Sequence, residues 1–266
     1  MLSIVIPSHK DVYLHKTIDS LLDNSESEIE VIVVLDGYTP GSPIKEDPRI
    51  RIHRHPWNLG MREAINSGVS IAKGKYIMRV DEHCMFGPGY DGILTGTIDY
   101  NWIVVPRRFF LDPVRWEIMP EEGYIDYEKL LIVTKPSGRR KFSAVEWRSR
   151  ARERANISID ENMAMQGSCW VMHRQWWIDV IGRLDSNGYG TLYQDTTEML
   201  FKTWAAGGKL MVNKKTWYAH KHRDFNRSHN YPGELADASF LFALEKHKDD
   251  YERVKEQWLH TYQIRI

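Results

Sequence analysis

The first eighty residues repeat a pattern that restricts the folds open to this chain: a short apolar, β-branched run, then a stretch of helical period, then another apolar run. Leu2 to Ile6 and the segment "EIEVIVVLDG" are apolar without alternation, as strands buried on both faces require. Between them, residues 11–24 place Leu14, Ile18, Leu21 and Leu22 at helical spacing. "RIRIHRH" alternates as a third strand, and "NLGMREAINSGVSIAKG" predicts a helix with Ala64, Ile65, Val69 and Ala72 facing inward, ended by Gly74. Tyr76 to Val80 follows as a strand interrupted by Arg79. Strand, helix, strand, strand, helix, strand predicts an α/β fold on a parallel sheet, whose ligands bind beyond the carboxyl ends of the strands. Asp36 and Asp81 stand at two such ends.

Beyond residue 100, "WIVVPRRFF" is a further strand, and "MQGSCWVMHRQWWIDVIG" reads as a strand through Met172 and then a helix. "DTTEMLFKTWAAGGKLMV" is a helix with a Gly-Gly stop before a strand. The C-terminal segment is an amphipathic helix carrying Leu235, Phe240, Leu241 and Leu244. With 266 residues the chain can bury one large core. Lys plus Arg equals Asp plus Glu at 36 each, so no net field selects a polyanionic partner. Two cysteines, Cys84 and Cys169, give no disulfide framework and no metal-type spacing. "MLSIVIPSHK" is a strand rather than a signal peptide, and no run reaches the length of a membrane span. The expectation from these features is a cytoplasmic protein.

Three polar residues, Asp81, Glu82 and His83, close the fourth strand. Asp81 and His83 can face one crevice, and oxygen with imidazole suits a divalent metal of the manganese type. His220 in "WYAHKH", after another strand, is the candidate third ligand. The triplet alone reads first as a turn with an Asx bond. Asp36 either caps a turn with Gly37 or accepts hydrogen bonds from a nucleoside. Asp195 and Glu198, one helical turn apart, form either an N-terminal capping box or a catalytic pair.

Taken in order, "SIVIPSHK", "VIVVLDG", "NLGMREAINSGVSIAKGKYIMRVDEHC", "GSCWVMHRQWWIDVIGRLD", "DTTEMLFKTWAAGG" and "WYAHKHR" resemble the nucleotide-sugar glycosyltransferases of GT-A fold. The first half is similar to the family-2 group, through Asn58, Gly60, Ala64, Asn66 and Gly68. The Asp-x-His-Cys motif and the second half are closer to the polypeptide N-acetylgalactosaminyltransferases. The resemblance implies a Rossmann-like, mostly parallel central sheet flanked by helices, with a C-terminal helical extension. It implies a GT-A domain over 1–225, with a nucleotide-binding half at 1–105 and an acceptor half at 106–225. Residues 226–266 would add a loop and a helix packed on that domain.

As implied function, the resemblance gives metal-dependent transfer from a UDP-sugar to a hydroxyl acceptor. Asp81, His83 and His220 would hold Mn²⁺ or Mg²⁺. The donor would lie along Pro7, Ser8, Asp36, Asn58, Gly60, Arg62, Asp81, Glu82, Gln166, Gly167 and Arg223. Asp195 and Glu198 would be the catalytic acids, although the base position of family-2 inverting enzymes falls on Thr196 here. Trp170, Trp176 and Trp177 either stack on sugars or fill the core. The arginine run 139–154 around Trp147 either forms a solvated helix face or meets a polyanionic acceptor, such as DNA with a hydroxymethylated base. Two other functions compete with transfer. A sugar nucleotidyltransferase would need a glycine-rich loop after the first strand, which "IPSHKDVYLHK" lacks. A non-catalytic glycan- or nucleic-acid-binding module would not need the metal ligands.

Overall fold

The computed structural model describes residues 1–222 and 233–262. The first half is built as the apolar pattern demands: β1 (Leu2–Ser8), α1 (Leu14–Asp23), β2 (Ile29–Asp36), β3 (Ile50–His55), α2 (Met61–Ser70) and β4 (Tyr76–Val80). These four strands pair in parallel in the order β3-β2-β1-β4. Alternate residues of β1 go to opposite sides of the sheet. Ile4 and Ile6 pack with Leu14, Ile18 and Leu21 of α1, while Val5 packs with Ala64 and Ile65 of α2. Helices covering both faces explain why the run carries no polar alternation.

The chain continues through β5 (Cys84–Phe86), α3 (Tyr90–Thr95), β6 (Trp102–Asp112), β7 (Glu117–Ile118) and β8 (Tyr124–Ile125). Next come β9 (Glu128–Thr134), β10 (Arg140–Glu146), α4 (Arg148–Glu153), β11 (Ile159–Asn162) and β12 (Cys169–His173). The remaining elements are α5 (Arg174–Trp176), α6 (Ser186–Tyr189), α7 (Asp195–Ala205), β13 (Lys209–His220) and α8 (Gly233–Tyr262). β12 enters the sheet between β4 and β6, antiparallel to both. β13 runs parallel to β6 and antiparallel to β11 and β5. The whole is a mixed α/β architecture on a central sheet flanked by helices. Among the described residues, no helix is long and apolar enough to cross a membrane.

Two expectations change. The arginine-rich segment is a solvated helix face only in part: its first half belongs to the antiparallel hairpin β9–β10, and the short α4 leaves Arg148 and Arg152 exposed. Its side chains engage the protein: Arg139 pairs with Asp237, Arg148 with Glu146, and Arg150 and Arg154 with Asp160. The buried stripe of α8 also differs from the expected one. Phe240, Ala243, Tyr251, Val254 and Trp258 face inward, while Leu235 and Leu241 are 51% and 61% exposed. The hairpin decides this, because Phe142 of β10 receives Phe240 and Tyr251. Trp170, Trp176 and Trp177 are core residues, all at most 4% exposed.

Gly68 shows how closely α2 lies on the sheet. A Cβ there would meet Val5 Cγ1 at 2.3 Å. Gly68→Ala is therefore expected to destabilise the fold. Overpacking costs about 1–3 kcal/mol, more than the roughly 0.5–1 kcal/mol that alanine gains in a helix. Denaturant unfolding checks this, and an unchanged or raised midpoint would contradict it.

Candidate functional site

The carboxyl ends of β1, β2, β4 and β13 meet at one edge of the sheet, and the polar residues that follow them converge there. The last residues of β13 pair with β5, setting His220 opposite Cys84, and Lys221 N donates to His83 O at 3.1 Å. His220 Nε2 thereby lies 3.2 Å from Asp81 Oδ2, and His83 Nε2 lies 3.7 Å from the same oxygen. One ligand atom from each of Asp81, His83 and His220 falls within 4.8 Å of the others.

The surroundings favour an ionised acid beside a neutral His220 ring. Burial alone would raise the Asp81 carboxyl, but Arg79, bonded to Oδ1 at 2.6 Å, together with His220 and His83 holds it well below the usual range. Burial pushes His220 down to about 4, so its ring is uncharged at neutral pH. His83 Nδ1 bonds Asp11 Oδ2 at 2.9 Å, the outer-shell contact that orients a ligating imidazole. One carboxylate oxygen and two imidazole nitrogens suit a first-row divalent cation such as Mn²⁺. His220 Nδ1 is buried with no hydrogen-bond partner among the described residues. The donor set fits a metal ion.

Asp195 extends the site. It opens α7 directly after Gln194, which holds the left-handed conformation at φ 59°. Its carboxyl packs against the turn at Gln166 to Ser168: a Cβ on Gly167 would come 3.1 Å from Asp195 Oδ2. Ser168 O accepts from Asp81 N at 2.8 Å, which joins this turn to the metal-type cluster. Asp195 Oδ2 and two guanidinium nitrogens of Arg79 are buried without hydrogen-bond partners among the described residues. Buried polar atoms are normally satisfied, so unmatched donors and an acceptor beside a cleft mark a place for a polar ligand.

A profile of the family described as glycosyl transferase family 2 matches residues 3–181, more than half of the chain. The chain belongs to glycosyl transferase family 2. The uncharacterised glycosyltransferase EpsJ of Bacillus subtilis is 38% identical over 88 residues, covering 30% of this chain and 25% of that protein. Mouse polypeptide N-acetylgalactosaminyltransferase 12 is 23% identical over 95% of this chain and 44% of its own length. Among solved structures, GalNAc-T7 with UDP, GalNAc and Mn²⁺ superposes with a TM-score of 0.75 at 20% identity, over 94% of this chain and 49% of that one. S. aureus TarS with UDP-GlcNAc gives 0.55 at 14% identity, over 92% and 66%. The chain thus spans between a quarter and a half of the length of these two sequence relatives. The fold is GT-A.

Within this family-2 chain, the other expected donor residues fall into two groups. At the cleft edge, Ser8 Oγ bonds the Tyr38 hydroxyl, and Asn58 Nδ2 reaches the His9 ring at 3.0 Å. Glu82 lies beneath, accepting the His9 amide at 3.1 Å, and burial pushes its carboxyl up to about 8. Pro7 pairs with Val34 inside the sheet. The second group is turned inward. Asp36 accepts from Leu59 N and Gly60 N at 2.8 Å each and from His55 Nδ1 at 2.8 Å, fixing the approach to α2. Arg62 and Glu198 form an ion pair with no exposed surface, 2.5 Å between Nη1 and Oε2. Glu198 also pairs with Lys202 and accepts from Asp185 N, so it holds α7 in place and does not line the cleft. Arg223 lies outside the described residues.

Sequence reasoning passed over Arg79, Asp11, His9 and Tyr38. Arg79 carried a signal, as a charge inside an apolar strand; the other three did not stand out from ordinary loop residues. Glu198→Ala would leave the Arg62 guanidinium buried and unpaired, and is expected to cost about 3–5 kcal/mol of stability. Chemical denaturation measures it, and a loss below about 1 kcal/mol would contradict the buried-pair reading.

Proposed function

We propose that this chain is a divalent-metal-dependent glycosyltransferase that moves a sugar from a UDP-sugar to a hydroxyl acceptor. The observation that carries this reading is the convergence of Asp81, His83 and His220 at the carboxyl edge of the sheet, with Asp195 next to it. Donor and metal find support in the solved neighbours: GalNAc-T7 was determined with UDP, GalNAc and Mn²⁺, and TarS with UDP-GlcNAc.

A divalent cation held by the three side chains would offset the negative charge that grows on the departing diphosphate. The chain's own residues do the positioning. Asp11 fixes the His83 ring through Nδ1, and Arg79 fixes the Asp81 carboxylate through Oδ1. Ser8, His9, Tyr38 and Asn58 flank the end of β1 and hold the nucleoside. Asp195 Oδ2 takes a substrate hydroxyl at the turn containing Gly167, while Glu198 and Arg62 keep α7 in register from behind. The domain division follows: residues 1–105 bind the donor, 106–225 carry the acceptor side, and the C-terminal helix buttresses them. The ion-paired state of Arg139, Arg148, Arg150 and Arg154 weighs against a nucleic-acid acceptor on that segment.

UDP release is expected from at least one common UDP-hexose or UDP-N-acetylhexosamine with Mn²⁺, and EDTA is expected to abolish it. Asp81→Ala and His220→Ala should each lower kcat/KM by about 10²-fold or more. Asp11→Asn should weaken Mn²⁺ binding by about 10–100-fold. Turnover indifferent to EDTA and to both ligand substitutions would sink the metal reading. Asp195→Asn should reduce transfer, and intact transfer would remove Asp195 from the mechanism.

A further inference from the structure

A second concave site borders α1 and β5. It is a cavity of about 450 Å³, lined in part by Trp116, Trp217, Phe86, Asp19, Asp23 and Asn24. The volume falls within the roughly 300–1,000 Å³ of small-ligand sites. None of Asp81, His83, His220 or Asp195 lines it. Its lining combines aromatic rings with carboxylates, an amide and the Lys16 ammonium from α1 and the residue after it.

Two features show that this cavity is built rather than incidental. Trp116 ends the loop between β6 and β7 with a φ of 59°, a left-handed conformation that glycine adopts freely and bulky side chains rarely take. A tryptophan kept at a strained backbone position points to work done by its side chain. The indole stacks on Tyr13 with ring centroids 5.9 Å apart and lies beneath Lys16 Nζ at 5.1 Å. On the other side of the cavity, the Trp217 indole lies so close to Gly87 that a Cβ there would meet its Cε2 and Nε1 at 2.7 Å. Gly87 is what lets Trp217 lie flat against the chain. Both indoles remain half-buried rather than closed into the core.

We infer that this cavity is a binding site for a neutral pyranose residue of a glycan, separate from the donor site. A pyranose presents C–H groups that pack on an indole and hydroxyls around its rim that donate to carboxylate and amide oxygens. Asp19, Asp23 and Asn24 supply such acceptors, and because Lys16 lines the same cavity and Lys45 pairs with Asp19, the acids are balanced by cations, which suits an uncharged sugar. The surface continues from Trp116 through Tyr13 to Lys221, whose Nζ stands 5.8 Å from the Tyr13 centroid and which directly follows His220. A bound glycan can therefore extend toward the cluster. The inference rests on the cavity itself and does not require the proposed transfer reaction.

Saturation-transfer NMR with methyl β-galactoside and methyl N-acetyl-β-glucosaminide tests it on the full chain, with EDTA present to disable the metal-type cluster. At least one methyl glycoside is expected to bind at millimolar concentration. Trp116→Gly relieves the strained backbone, so the variant should stay folded by circular dichroism while binding weakens at least about tenfold. Trp116→Phe, which keeps an aromatic face, should retain part of the affinity, and His220→Ala should bind as the parent does. No signal from either methyl glycoside would overturn the inference. So would equal binding by the parent and Trp116→Gly, or loss of binding in His220→Ala, which would place the sugar at the cluster. Failure of UDP-sugar turnover would leave this result unaffected.

Discussion

The register of β13 is the constraint on which the site depends. Its final residues pair with two strands at once, His220 lying beside Phe110 of β6 in parallel and Cys84 of β5 in antiparallel. Side chains alternate along a strand, so a slip of one residue would turn His220 to the opposite face and dissolve the cluster. An irregularity between Asn213 and Trp217 in the pairing with β6 absorbs the change of register. Tyr218, two residues before His220, ties the same strand to β12 through Ser168 at 2.8 Å. One strand end thus joins the ligands before β5, the turn before β12, and Trp217 of the second cavity.

Beneath the cleft, buried arginines are each matched to an acid. Arg79 holds Asp81, Arg62 holds Glu198, and Arg108 holds Glu128 at 3.0 Å, whose other oxygen accepts Gln166 N at 2.9 Å. Buried ion pairs add little net stability compared with apolar packing, because both charges leave water. Their contribution here is position. Each pair fixes a part of the site: the metal-type cluster, the start of α7, and the turn beside Asp195. Charge inside the sheet is therefore spent on geometry rather than on cohesion.

The fold was readable wherever a single segment carried its own pattern. β1, β2, β4 and α2 declare themselves through continuous apolar runs or helical spacing, and the parallel first half follows from their order. The hairpin β9–β10 and the following α4 were not readable, because Arg139 in the hairpin turn is paired by Asp237 of α8, and Arg150 and Arg154 at α4 by Asp160 of β11, acids outside both elements. The inward face of α8 is likewise set from outside the helix, since Phe142 selects which of its apolar residues turn inward. At the site, Asp81 and His83 were legible through their spacing at a strand end. Asp11 and Tyr38 were not, because their roles exist only in contact with His83 and Ser8.

By itself, the sequence determined the alternation of buried strands and covering helices, and the placement of Asp36, Asp81 and His220 at strand ends. These are local properties, fixed by periodicities of two and of 3.6 residues. Only the tertiary structure decided what those ends do. It turned Asp36 inward onto Leu59 and Gly60, closed Glu198 into a pair with Arg62, and brought Trp116 and Trp217 to one cavity. The physical reason is that a carboxylate or an indole takes its role from the partner that reaches it, and those partners come from distant strands. The strand order and register that bring them together are properties of the whole sheet.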